Sequence, residues 1–259
     1  MTYGSYAPYV LLAVAACCLA YTGAARRLRA RGDRWPPRRD AVCWSAGAVL
    51  AVAALPWPGG EPFTAHTAAH LATGMLAPLL LALARPVTLT LRTLPVPARR
   101  RLLACLRSRP AALLTWPPVA AAVNAAGLWA LYRTPLLAHT HHHPWLQAAV
   151  HLHLLLSGFL LAFAVLALEP VRHRSGHLLR GAALIGAAAA HDVLAKSLYA
   201  TGPPGTVFAP HDLHAGAQLM YYGGDLTGVA LAALLALGWY RDGGRALART
   251  ARRTAYPRP

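Results

Sequence analysis

Seven mostly apolar stretches, separated by short polar blocks, run along this chain at about residues 6–25, 41–58, 64–84, 111–132, 145–168, 178–200 and 213–240. A helix needs about 20 such residues to cross the hydrocarbon core of a bilayer. Backbone left irregular in lipid has nothing to bond to, and the runs are too long for the alternating strands of an outer-membrane barrel. The pattern therefore predicts an all-α fold, a polytopic bundle of seven transmembrane helices in which residues 1–259 form one membrane domain and residues 241–259 a basic cytoplasmic tail. Pro78, Pro117 and Pro118 fall inside predicted spans, where a missing N–H and a bulky ring are expected to kink the helix.

Composition supports the same class. Hydrophobic residues make up 56% of the chain and charged ones 13%, about half of the ~25% usual in soluble domains. The 25 basic residues against 8 acidic ones would suit a nucleic-acid binder only if they shared one solvated face. They lie instead in blocks between apolar runs, so no nucleic-acid partner is expected. Segments 26–40, 85–110, 169–180 and 241–259 hold 23 of the 25. Basic residues beside helix ends stay cytoplasmic, so the amino terminus is expected outside and the carboxyl terminus inside.

The first run lacks a basic leader and is followed by Arg26, Arg27 and Arg29, which reads as an uncleaved helix and not a signal peptide. Residues 96–109 set Leu102, Leu103 and Leu106 beside five arginines. That suits either an interfacial helix on an anionic inner leaflet or a plain arginine-rich topological loop. Arginine and alanine usage suggests a bacterial source, hence a multi-pass protein of the bacterial plasma membrane. Cys17, Cys18, Cys43 and Cys105 form no CxxC pair or spaced framework and read as small apolar side chains.

On this topology eleven of the 13 histidines fall outside or in the outer halves of helices; only His173 and His177 lie inward. Ionisable groups in a membrane are costly and mark function by default. His66 and His70 are one turn apart and share a face of the third span, as do His211 and His214 at the top of the seventh. His151 and His153 stand about 200° apart on a helix, so one of the two is not a ligand, and spacing does not say which. His191 in the sixth span falls at a similar depth. Convergence would form a multi-histidine metal site from His66, His70, His151, His153, His191, His211 and His214, with Asp192, Asp212 and Asp225 as supporting carboxylates and Met75 and Met220 as soft ligands or core filler.

Imidazole suits copper and zinc, and the scarcity of carboxylates disfavours Mg, Ca and Mn. The run His139, His141, His142 and His143 could capture metal for delivery or bind it adventitiously. Asp192 and Lys196, one turn apart, could simply neutralise each other. His191 and Asp192 are neighbours whose side chains diverge by about 100° on a regular helix, and no catalytic Ser-His-Asp or paired-carboxylate pattern is evident, so no enzyme is expected.

The stretch from His70 through Pro78 to Arg92, the stretch from Val150, His151 and His153 to Glu169 and Pro170, and the stretch from Asp212 and His214 to Asp225 resemble the CtaG-type cytochrome c oxidase assembly factors over roughly residues 60–240. Leu213 stands where that resemblance leads one to expect Gln. The resemblance implies seven spans, a role in assembling haem-copper oxidase and copper handling by the histidines of the third, fifth and seventh spans. The expected function is thus a membrane-embedded assembly factor that holds copper, as Cu(I), at an outward-facing histidine cluster. It would pass the copper to cytochrome c oxidase subunits, with an extracytoplasmic copper chaperone as a further partner. A haem-binding membrane cytochrome and a copper or zinc transporter are the alternatives.

Overall fold

The computed structural model describes residues 7–55, 62–140, 142–170 and 175–255, with side chains to residue 245; His141 and His173 lie outside that set. The described residues form helices and no strand. These are α1 (Ala7–Ala30), α2 (Arg38–Ala54), α3 (Pro62–Leu71), a π segment (Ala72–Leu76), α4 (Ala77–Ala84), α5 (Pro86–Thr93), α6 (Val96–Leu106), α7 (Arg109–Leu114), α8 (Pro117–Arg133), α9 (Leu136–Thr140), α10 (Pro144–Leu166), α11 (His177–Ala200) and α12 (Pro210–Ala255). Five stretches are long and apolar enough to cross a membrane: Ala7–Ala30, Pro62–Thr93, Pro144–Leu166, His177–Ala200 and Pro210–Arg245. Two more helices, α2 and α8, have 17 residues each, at the short end of what can span.

The run at 111–132 is not one helix. It breaks at Thr115 and Trp116, with α7 before and α8 after. Pro117 and Pro118 explain the break, since neither donates an N–H and both fit the first turn of a new helix, while Trp116 ahead of them is pushed to extended backbone (φ −72°, ψ 123°). Pro78 acts differently. Lacking a donor, it leaves the Gly74 carbonyl without its usual i+4 partner, and the ladder runs wide just before it: Ala77 N–H bonds to the Ala72 carbonyl, five residues back. The freed Gly74 oxygen points at α10, where Gly158 has no side chain to obstruct it; a Cβ there would sit 2.0 Å from that oxygen.

Two carboxylates pin the stretch from Pro62 to Thr93 at both ends. Asp212 of α12, fully buried, caps α3 from 148 residues away: Phe63 N–H donates to its Oδ2 (2.8 Å), and Thr64 donates through N–H (2.9 Å) and hydroxyl (2.8 Å) to Oδ1. These bonds satisfy orphan helix donors and set a negative charge at the positive end of the helix dipole. At the far end Arg85 turns left-handed (φ 57°) and α5 begins. There Glu169 accepts from the N–H groups of Val87 (3.1 Å) and Thr88 (2.8 Å) and from the Thr88 hydroxyl. Burial pushes the Glu169 carboxyl up, and the Thr88 and Val87 donors pull against it. Asp212→Ala is expected to cost about 1–3 kcal/mol, the usual penalty for stranding buried donors, seen as a lower unfolding midpoint in detergent; Asp212→Asn, which keeps one acceptor, should lose less.

Around this stretch α12 packs on α3 and α11, α11 on α8, α10 on α8 and α4, and α2 on α4 and α1. Phe63, Leu128, Leu194 and Met220 build one part of the core, and Leu79, Val165, Leu184 and Leu231 another. Cys18 and Cys43 are buried, unbridged thiols in a third cluster with Tyr21 and Trp35, consistent with their reading as apolar side chains. Arg180, also buried, donates to the Val165 (3.1 Å) and Leu166 (3.4 Å) carbonyls that end α10. Residues 96–106 are a helix without a buried residue, whose Leu102, Leu103 and Leu106 are half-covered beside exposed arginines. The tail from 241 is no separate element: α12 continues through it to Ala255.

Candidate functional site

The cap on α3 fixes the helix that carries the first two histidines. One turn in from Phe63 and Thr64 comes His66, and one turn further His70, which is only 2% exposed. Tyr132, at the end of α8 and fully buried, sets its ring edge-on to both, 5.7 Å from His66 and 6.0 Å from His70 between centroids. From α11, His191 lies nearly parallel to His70, with ring centroids 6.1 Å apart and planes 19° from coplanar. Gly224 of α12 makes room for it, since a Cβ there would stand 2.3 Å from His191 Cε1. Gly74, in the π segment, likewise backs the His70 ring, its imagined Cβ 3.3 Å from Cε1.

Both ring nitrogens of His70 and Nε2 of His191 are buried and make no hydrogen bond to the described residues. Such groups ordinarily cost about 1–3 kcal/mol apiece unless something else satisfies them. The other His191 nitrogen, Nδ1, faces Asp192 Oδ1 at 3.8 Å. The two side chains do not diverge as a regular helix led one to expect. Asp225 lies near enough to both for their charges to interact.

The two histidines of α10 face different neighbours. His151 lies near enough to His70 for a charge interaction, and its Nδ1 is 2.8 Å from the Gln147 carbonyl oxygen. His153 turns to α8, where Gly127 leaves it space; a Cβ at Gly127 would be 2.0 Å from its Nε2. The structure thus gathers His66, His70, His151 and His191 and sets the other candidates apart. His214 is exposed and stacks on Tyr199, with centroids 4.2 Å apart. His211 is exposed at the start of α12. Within the 139–143 run His139 bonds through Nδ1 to the Pro135 carbonyl oxygen (2.7 Å), and His143 lies against Trp145. Asp212 serves α3 as its cap. Met220 is core filler, wholly buried among Phe63, Leu128 and Leu194, whereas Met75 borders the site.

Beneath the two imidazoles is a cavity of about 40 Å³ lined by His70, Met75, Asn124, His191, Asp192 and Gly224 and otherwise by apolar side chains. That is room for a few water molecules or one ion. Among the described residues no group of three or more His, Cys, Asp or Glu side chains is arranged to hold a metal ion. The donor set at hand is two near-parallel imidazoles with unused nitrogens, a third and fourth imidazole beside them and one thioether. Soft and imidazole donors of this kind match copper better than carboxylate-seeking ions.

Tyr132 and Gly224 also shape the site, although neither is a histidine, an acid or a base. Tyr132 ends a span beside Arg133, where a tyrosine reads as an interfacial anchor, and only the tertiary packing brings it onto two histidines. Gly224, within a Gly-Gly pair ahead of Asp225, had a signal in the small residues that let helices approach.

Comparison with known proteins adds a family. The chain is 31% identical to an uncharacterized protein of Mycobacterium bovis and to one of Mycobacterium tuberculosis, over 59% of its own length and 24% of theirs. It is 30% identical to an uncharacterized protein of Mycobacterium leprae over 62% of its length and 26% of the relative's. The chain thus spans about a quarter of the curated relatives it matches. No solved structure matches it. The model of the cytochrome c oxidase caa3 assembly factor family matches residues 19–242, taking in the later half of α1 and all of α2, which lie outside the motif resemblance. On that match the chain, a helical protein with several membrane-spanning helices, belongs to the cytochrome c oxidase caa3 assembly factor family.

Proposed function

We propose that this chain carries copper, as Cu(I), between His70 and His191 and gives it up to a cytochrome c oxidase subunit during assembly. The observation that carries the reading is the set of buried imidazole nitrogens on His70 and His191 that nothing in the described structure satisfies. A bound cation would satisfy them. Among the described residues no three-ligand cluster is formed, and two facing imidazoles suit an ion content with few donors better than zinc in a closed tetrahedral site. Low coordination also suits a carrier, whose cargo must leave. His66, one turn from His70 toward the Pro62 end, is the next imidazole along α3 and the natural exchange ligand. Met75 offers a thioether at the cavity wall, and Asp192, beside His191 Nδ1, would hold that ring so that Nε2 is the free donor.

In this reading the five long spans are joined by α2 and α8 to make seven, with the amino terminus outside, the carboxyl terminus cytoplasmic and the protein in the bacterial plasma membrane. The histidines then open toward the outer side, where an extracytoplasmic copper chaperone could load them. The chain is a carrier and not an enzyme. A porphyrin needs far more room than the cavity of about 40 Å³ offers, which weighs against a haem cytochrome.

The test is complementation. In cells lacking the gene and grown at low copper, His70→Ala is expected to lower oxidase activity and the copper content of the oxidase by about tenfold or more, with the chain still present in membranes, and added copper should restore part of it. Normal oxidase with His70→Ala at low copper would overturn the proposal.

A further inference from the structure

Away from His70 and His191, one face of the bundle carries polar groups where lipid would be expected. Between α11 and α12 runs a groove of about 310 Å³ lined by Ala195, Lys196, Tyr199, Ala217, Gln218, Tyr221 and Tyr222. Lys196, Tyr199, Gln218 and Tyr222 are exposed there, Tyr222 by 68%. Lys196 is the chain's only lysine and stands about 6 Å along the axis from the end of α11. A lysine so close to a helix end ordinarily reaches outward to the interface. This one does the opposite: its ammonium lies 5.1 Å over the ring of Tyr221, a residue roughly 16 Å into α12. It forms no ion pair with the described residues. Asp192, the acid one turn away, lies near enough for its charge to interact with Lys196 but faces His191 at 3.8 Å.

An ammonium and an amide turned into hydrocarbon are costly, and such groups are otherwise found facing protein or water. We propose that this groove receives a transmembrane helix of another membrane protein, which sets a carboxylate against Lys196 and takes hydrogen bonds from Gln218 and Tyr222. Charge complementarity requires an acid on that helix. A second copy of this chain in a two-fold contact would oppose Lys196 with Lys196. The floor of the groove, Ala195 and Ala217, is small enough for close approach of another helix. This surface lies on the outer flank of α11 and α12, and the proposal stands apart from the copper reading.

A photocrosslinking residue placed in native membranes by Tyr222→p-benzoylphenylalanine tests it, with the adduct peptide sequenced. The expected adduct is an apolar segment of another protein with an Asp or Glu within one turn of the linked residue. Its yield should fall more than about tenfold in Lys196→Met, as for the loss of one partner of a desolvated charge pair, and persist in Lys196→Arg. Copper per chain should be the same in both variants, so that failure here is distinct from failure of the metal site. Adducts with lipid alone, with this chain, or with a segment lacking an acid would overturn the proposal, as would an unchanged yield in Lys196→Met.

Discussion

Gly158→Ala is expected to prevent α10 from seating on the π segment and to leave little folded protein in the membrane. The added Cβ would stand 2.0 Å from the Gly74 carbonyl oxygen and 3.0 Å from the Gly74 carbonyl carbon and from Pro78 Cγ. Two of these are backbone atoms, which cannot swing aside, so the helices must part. Overpacking of this kind costs about 1–3 kcal/mol and more where backbone must move. It opposes a gain of about 0.5–1 kcal/mol that alanine brings to a helix interior. Gly186→Ala separates the two effects: nothing lies within 4 Å of a Cβ there, so that variant should show the gain alone. Thermal unfolding in detergent reads both signs, and a Gly158→Ala protein as stable as Gly186→Ala would show that the close approach is not needed.

The second large effect is at Gly224. Its substitution by alanine would put a methyl 2.3 Å from His191 Cε1 and 2.5 Å from Nδ1, driving the ring away from His70. Disturbing the groups that orient a metal-binding imidazole costs about 10–100-fold in affinity, and Gly224→Ala should lose copper to that degree though no ligand is altered. Gly238→Ala, with nothing within 4 Å, should retain it. Competition against a chromogenic Cu(I) chelator measures both. Equal retention by the two variants would mean that His191 does not hold the metal.

Much of the architecture could be read along the chain because a membrane leaves little choice: long apolar runs must be helices, and Arg-rich blocks stop them. The errors have local causes. The apolar run predicts kinks at Pro117 and Pro118 inside a span, whereas two successive prolines fit only the first turn of a helix, and α8 starts on them. Asp212 sits two residues before His214, at the same end of α12, and so resembles part of a ligand set. Its task as the cap of α3 depends on a contact across 148 residues that no local pattern encodes. The one local hint was that the Pro62 end of α3 offers no Ser, Thr or Asp of its own in the capping position.

For the histidines, helix phase narrowed the choice and packing completed it. The i, i+4 spacing of His66 and His70 was enough to place both on one face. Spacing alone leaves His151 and His153 as alternatives, whereas packing sets His153 against Gly127 of another helix. His211 and His214 share a depth with the others yet occupy a different side of α12, since Gly216 and the buried Asp212 take the side that meets α3. Depth is legible in a sequence of spans; rotation about each helix axis needs the neighbouring helices.

The most direct measurement is the metal content, by mass spectrometry, of the chain purified from membranes without a polyhistidine tag, beside the His70→Ala/His191→Ala double variant. Copper close to one per chain in the native protein and its loss in the folded double variant is the expected result. A native protein without copper, or a double variant that keeps it, would contradict a copper site between His70 and His191.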